Sequence, residues 1–198
     1  MTRYTIRPAT LSDLPALYTL RTEAEQWLAK AGVTQWTPEW HDRARQLIRK
    51  NVEDGESWVI CDDGQIASTC RIAGPDLDFW NDADHLDDAD HLYKLIVARS
   101  HAGTGLGDAI IDWACDRAQA RGRTWLRIDI WRTNNGLRRY YEKRGFRYVR
   151  TAIVPGRNSG LLLQRPVELR TAPANIRLVD DGDDKGGETI LPLQAAAR

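Results

Sequence analysis

The sequence has no excess of charge of either sign. Its 198 residues hold 28 lysines and arginines against 28 aspartates and glutamates. That excludes the broad basic footprint of a general nucleic-acid binder. Cysteine is scarce: Cys61, Cys70 and Cys115 are the whole set and form no CxxC pair. Neither a disulfide scaffold nor a cysteine zinc cluster is expected, and a reducing, cytoplasmic setting fits. No apolar run approaches the ~18 residues that a membrane span needs, and the residues from Met1 to Arg7 lack a signal-type apolar core. The GK[ST] phosphate loop is missing. So is the GxGxxG fingerprint, since the sixth position counted from Gly103 is Asp108. What the chain does have is 42% apolar and 28% charged residues, the balance of a globular domain long enough to bury a core.

Spacing divides the chain into short strands and helices. Tyr4–Arg7 alternates and stops at Pro8, which predicts a first strand. Leu14, Leu17, Ala24 and Leu28 recur at helical spacing until Gly32. A polar helix is expected over about residues 41–51. Strands over 57–61 and 65–73 flank the Asp62-Asp63-Gly64 turn. Further strands are predicted over 92–98, 126–131, 146–153 and 161–166, with helices ending at Ala120 and spanning 134–144. Such a mixture is α+β, or α/β by some schemes. After Val167 the composition turns charged and glycine-rich. Residues 1–167 therefore read as the domain, and 168–198 as a C-terminal extension, either a hairpin or a disordered tail.

The most informative stretch is His101-Ala-Gly103-Thr-Gly105-Leu-Gly107-Asp108, between a predicted strand and a predicted helix. Glycines let the backbone turn tightly and approach a ligand. The free N–H groups and positive dipole end of the helix that follows attract phosphate. A pyrophosphate is the ligand expected there; a purely structural turn is the plainer alternative.

Downstream, Asn134, Leu137, Tyr141, Gly145 and Phe146 are spaced as N-x-x-[A]-x-x-x-Y-x-x-x-G-F, with leucine in the alanine place. Together with Ala102–Gly107, read against [R/Q]-x-x-G-x-[G/A], this resembles the GNAT superfamily of acetyl-CoA-dependent N-acetyltransferases, and its bacterial members in particular. Ala102 departs from the family's Arg or Gln. The resemblance spans roughly residues 4–166 and is sharpest from Leu92 to Phe146. It implies a mostly antiparallel central sheet flanked by helices, splayed between strands 4 and 5, with acetyl-CoA as cosubstrate and no metal. It also implies cofactor contacts from Leu95, Ile96, Val97, Ala102, Gly103, Thr104, Gly105, Leu106, Gly107, Asp108 and Asn134. The Leu95 N–H would be the oxyanion donor and Tyr141 the general acid. Arg138 and Arg139 would face the 3′-phosphate end.

A base must take the proton of the attacking amine. Strand parity puts His91, Tyr93, Leu95 and Val97 on one face, and an ungapped count places His91 where several family members carry a glutamate. A histidine titrates in the right range; a surface histidine closing an acidic loop is the alternative.

Seven aspartates, Asp76, Asp78, Asp82, Asp84, Asp87, Asp88 and Asp90, lie in a segment with no lysine or arginine. With Trp80 they could form a lip that attracts a cationic amine, opposite Trp36 and Trp40. A solvated loop is the plainer reading. The substrate residues expected on this basis are Trp36, Trp40, Trp80, Asp84, His91 and Tyr93. The resemblance and these residues together point to transfer of acetyl from acetyl-CoA to a primary amine of a small, cationic acceptor, by direct attack of that amine. A non-catalytic domain of the same fold that binds coenzyme A or an amine is the alternative. A small-molecule amine is the expected partner, with no nucleic acid and no membrane, and homodimerisation stays open.

Overall fold

A computed structural model describes residues 2–36 and 40–181. The strands are β1 (Thr2–Pro8), β2 (Ser57–Asp62), β3 (Gln65–Ala73), β4 (Ala89–Val97), β5 (Trp125–Trp131), β6 (Arg147–Thr151), β7 (Ser159–Pro166) and β8 (Ile176–Asp180). The helices are α1 (Leu14–Lys30), α2 (His41–Glu53), α3 (Leu106–Ala120) and α4 (Asn135–Glu142). The strands form one sheet in the order β6-β7-β5-β4-β3-β2-β1-β8. Only β4–β5 and β1–β8 pair in parallel; the other neighbours are antiparallel. The mixed, helix-flanked sheet expected from the sequence is the one the chain forms.

Alternation explains how the sheet sits between two layers. In β2, Trp58 and Ile60 face the large core under α3, while Val59 and Cys61 face α1 and α2. Burial on both sides makes the strand a nearly continuous apolar run. From α3, Leu106, Ile110, Ile111, Ala114, Cys115 and Ala118 are buried against the sheet at helical spacing. All three cysteines are free and buried.

The entry to α1 is pinned electrostatically. Arg7 donates to the Asp13 carboxylate at 2.7 and 2.8 Å, and the Thr10 N–H donates to it at 2.7 Å. These contacts, the Arg7 hydrogen bond foremost, pull the Asp13 carboxyl down to about 2.

The C-terminal extension supplies an edge strand. β8 runs parallel to β1, with Arg3 opposite Arg177 and Thr5 opposite Val179. On the way there, Asp112 of α3 accepts from the Thr171 and Ala172 N–H groups at 2.8 and 2.7 Å. Residues 182–198 of that extension lie outside the described residues.

Candidate active site

The site begins where two parallel strands part. β4 and β5 pair only at Ala89–Trp125, Asp90–Leu126 and His91–Arg127. Beyond His91, β4 follows β3 and β5 follows β7. The gap between them opens into a cleft of about 710 Å³. Leu92–Val97 and Ile128–Trp131 form its strand walls, and residues of α1 and α4 line it as well.

A bulge accompanies the parting. Between the pairs Thr69–Ile96 and Arg71–Tyr93, β3 advances two residues while β4 advances three. Lys94 takes up the excess with a φ of +50°, a left-handed conformation that is costly for a side-chain-bearing residue and persists where surrounding structure enforces it. A bulge of this kind bends its strand away from regular pairing. It also inverts the faces. Tyr93 shares a face with Arg71, whose guanidinium lies 5.0 Å from the ring centre. Leu95 and Val97 pack instead on the core under α3. Counting His91, Tyr93, Leu95 and Val97 along one face therefore fails at Lys94.

Leu95, Ile96, Val97, Asn134 and Tyr141 line the cleft. Ala102–Asp108 lie just past its end at Arg99, where the chain enters α3. Gly103 and Gly105 have φ of +79° and +91°. Among the described residues, nothing accepts from the N–H groups of Gly103, Gly105 or Gly107, an orphaned set at a helix N-terminus suited to an anion. Gly105 serves packing as well, since a Cβ there would stand 2.6 Å from Pro173 Cγ of the extension. Thr104 donates through its hydroxyl to the His101 carbonyl at 2.8 Å.

Asn134 is first of all a cap. Its side-chain oxygen accepts from the Leu137 N–H at 2.9 Å, and its amide donates to Gln35 Oε1 at 2.9 Å, tying α4 to the segment after α1. Arg138 donates to Glu142 at 2.8 Å, Arg139 is exposed, and neither lines the cleft. Asp108 is held by Arg144.

Tyr141, Asp129 and Lys94 are among the titratable groups that line the cleft. Tyr141 is buried, with Tyr140 and Phe146 both edge-on at 5.2 Å. Burial pushes its phenol above the ordinary range, and its hydroxyl makes no hydrogen bond among the described residues. Asp129, in the middle of β5, was not picked out by sequence. Burial raises its carboxyl, against a lowering hydrogen bond from Ser159, and its Oδ1 has no partner. Lys94 was not picked out either. Solvent reaches it through the cleft, yet protein surrounds it on several sides. Desolvation first, then the nearby Arg21 cation, push its amine down to about 8. Tyr93 lines the cleft, but its hydroxyl is committed, donating to the Gly74 carbonyl at 3.0 Å and accepting from the Asp76 N–H at 3.1 Å.

Other expected residues are elsewhere. His91 is fully enclosed at the closed end of β4. Trp80 meets it edge-on at 5.4 Å and Tyr93 stacks on it at 6.2 Å. Neither ring nitrogen has a partner. Burial, then the Arg127 charge, push its pKa down to about 4. It is a neutral core residue and does not line the cleft. Trp80 is likewise fully buried. Of the seven aspartates, Asp76, Asp78, Asp84 and Asp90 pair with arginines far along the chain, and Asp82, Asp87 and Asp88 are exposed away from the cleft. Asp84 pairs with Arg150 at 2.6 Å, and Asp76 and Asp78 hold Arg157 at 2.5 and 2.7 Å. The paired aspartates fasten the sheet, and none of the seven lines the cleft. Trp36 and Trp40 both line a second cleft of about 420 Å³, which shares Gln35, Trp36, Lys94, Ile96 and Trp131 with the first. Among the described residues no group of acidic, histidine or cysteine side chains is arranged to hold a metal ion.

This arrangement has relatives. The model of the Acetyltransferase (GNAT) family matches residues 16–146. The chain is 25% identical over 146 residues to an uncharacterized N-acetyltransferase, YesJ, of Bacillus subtilis, covering 72% of this chain and 81% of that one. A crystal structure of a GNAT-family acetyltransferase from Listeria monocytogenes superposes with a TM-score of 0.66 at 25% identity, over 82% of this chain and 94% of the other. The Salmonella typhimurium protein yncA, solved with its cofactor acetyl-CoA, shares the fold at a TM-score of 0.53 and 18% identity, over 87% and 98% of the two chains.

Proposed function

The chain belongs to the GNAT family of acetyltransferases, acetyl-CoA-dependent enzymes that acetylate amines, and on that footing we propose how its own residues do so. The observation that carries the reading is the parting of β4 from β5 at the Lys94 bulge, next to a glycine loop whose N–H groups are unspent. The pyrophosphate of acetyl-CoA would sit on the Gly103, Gly105 and Gly107 N–H groups. Its arm would run along Leu95–Val97 like an extra strand. The cleft is of a size suited to such a ligand. Ala102 offers no side-chain contact there, and the backbone cradle needs none.

The acceptor amine attacks the thioester carbonyl directly. The new C–N bond forms as the C–S bond breaks. The bulge leaves Leu95 without a Cα partner on β3, and its N–H is the proposed donor to the carbonyl oxygen as negative charge builds. Tyr141 gives its proton to the departing sulfur. The elevated phenol remains protonated at neutral pH, as a general acid must. Asp129 takes the proton from the attacking nitrogen. Burial raises its basicity, and the residue lines the cleft. It replaces His91 in that role, because His91 does not line the cleft.

The test is thiol release from acetyl-CoA with a panel of primary amines, with acetylated product identified by mass. Thiol release without product would mean hydrolysis and sink the acyl-transfer reading.

A further inference from the structure

The second cleft lies between α1, α2, β3 and the bulge, on the side of β4 away from α3. Among the described residues its lining contains Arg21, Arg43, Arg71, Lys94 and Arg157, and no aspartate or glutamate. Five cations along one wall disfavour a second positive charge beside a site that must admit an amine.

The five are not equivalent. Arg71 and Arg157 are anchored from behind, by Glu56 at 2.7 Å and by Asp76 and Asp78. Arg21 is buried, spends only Nε on Glu25 at 2.6 Å, and lays its guanidinium 3.8 Å over the Trp36 ring. Its Nη1 and Nη2 donate to nothing among the described residues. Lys94 and Arg43 have no carboxylate within ion-pair distance among the described residues; Lys94 lies 6.0 Å from the Trp36 ring centre and Arg43 lies 5.4 Å from that of Trp40. The cleft thus presents unspent donors held by stacking and by carboxylates behind them. Such sets recognise planar or tetrahedral oxyanions. Lys94 belongs to both clefts, so an anion held here would lie within a small molecule's length of the acetyl-transfer centre.

We propose that the acceptor is an amine that also carries an anionic group, a carboxylate or a phosphate, bound by Arg21, Arg43 and Lys94 while its amine reaches Asp129. This rests on the acetyltransferase reading above and names the acceptor class for it. It reverses the cationic acceptor expected from the aspartate-rich segment, which the fold turns to other use.

A matched set of three-carbon amines tests it in the full-length protein: 3-aminopropionate, 3-aminopropyl phosphate, propylamine and 1,3-diaminopropane. The anionic pair should exceed propylamine in kcat/KM by at least about tenfold and the diamine by about 100-fold, one to two charge-assisted contacts' worth. The better of the two anions separates carboxylate from phosphate. Arg43→Gln should raise the KM for the anion about tenfold and leave that for acetyl-CoA unchanged. Acetylation indifferent to tail charge, or preferring the diamine, overturns the inference and leaves the acetyltransferase intact. If acetyl-CoA binds but none of the four amines is acetylated, NMR titration of the coenzyme A-loaded protein decides. Shifts at Arg21 and Lys94 with the phosphate and not with propylamine support the proposal; equal or absent shifts overturn it. Failure of acetyl-CoA itself to bind removes the underlying reading first, and this one with it.

Discussion

The two ends of β4 do opposite work. At Ala89–His91 the strand pairs with β5, and His91, which pairs with β3 as well, is sealed in uncharged. From Leu92 to Val97 it has lost β5, gained a bulge, and borders two clefts. Histidine at the closed end has its pKa pushed down and serves packing. Lysine at the open end also has its pKa pushed down, yet stands in a cleft and is available to a ligand. Desolvation alone does not mark a functional group; desolvation together with access does.

The contrast can be broken first at Asp129. Asp129→Asn should lower kcat about 100- to 10,000-fold, the range for loss of a general base, and leave acetyl-CoA affinity within about threefold. The sign of the pH effect follows from the raised carboxyl pKa. Wild-type kcat should fall as pH drops through that raised value, and the asparagine variant should lose this acid limb. A pH–rate profile of the two proteins reads both.

Next comes Tyr141→Phe, which keeps the ring between Tyr140 and Phe146 and removes only the hydroxyl. Turnover should fall about 10- to 1,000-fold with little change in the KM for acetyl-CoA. Tyr140→Phe is the comparison. Equal losses in both would point to packing, and a viscosity series would show whether product release hides a chemical defect.

The smallest effect on catalysis should come from the closed end. His91→Phe should leave kcat within about threefold, since the ring touches no reactant in this account. Its signature is in stability. A histidine whose pKa falls from 6.5 unfolded to about 4 folded contributes stability that is present above the unfolded pKa and lost as pH drops toward 4. Urea unfolding at pH 7 and 4.5 should show the wild type losing about 2–3 kcal/mol more than the variant. A large catalytic loss in His91→Phe with normal stability would restore the histidine to the mechanism.

Much of the fold was legible because its signals are local. β3 begins and ends where alternation says, and the glycines stop α1 and α3 as expected. Asn134, Tyr141 and the glycine loop were legible because their spacing is conspicuous. The base and the acceptor side were not. One left-handed residue, Lys94, inverts the faces of β4, and nothing in His-Leu-Tyr-Lys-Leu announces it. The aspartates looked like a lip because the arginines that claim them lie far along the chain, Asp84 to Arg150 and Asp76 to Arg157. Asp129 did leave a trace. In Leu126-Arg-Ile-Asp-Ile-Trp131 one face is wholly apolar, and an aspartate opposite it needs a reason. β8 is five residues long and its partner is the other end of the chain, too little pattern to call a strand.

The most direct measurement is residue-resolved amide hydrogen exchange with and without acetyl-CoA. Bound acetyl-CoA should slow exchange at Leu95 and Val97 and at Gly103, Gly105 and Gly107, while Ala89–His91, already paired with β5, stays unchanged. Slowing confined to the closed end, or none along β4 under saturating acetyl-CoA, would contradict the claim that the parted strands are where the cosubstrate binds.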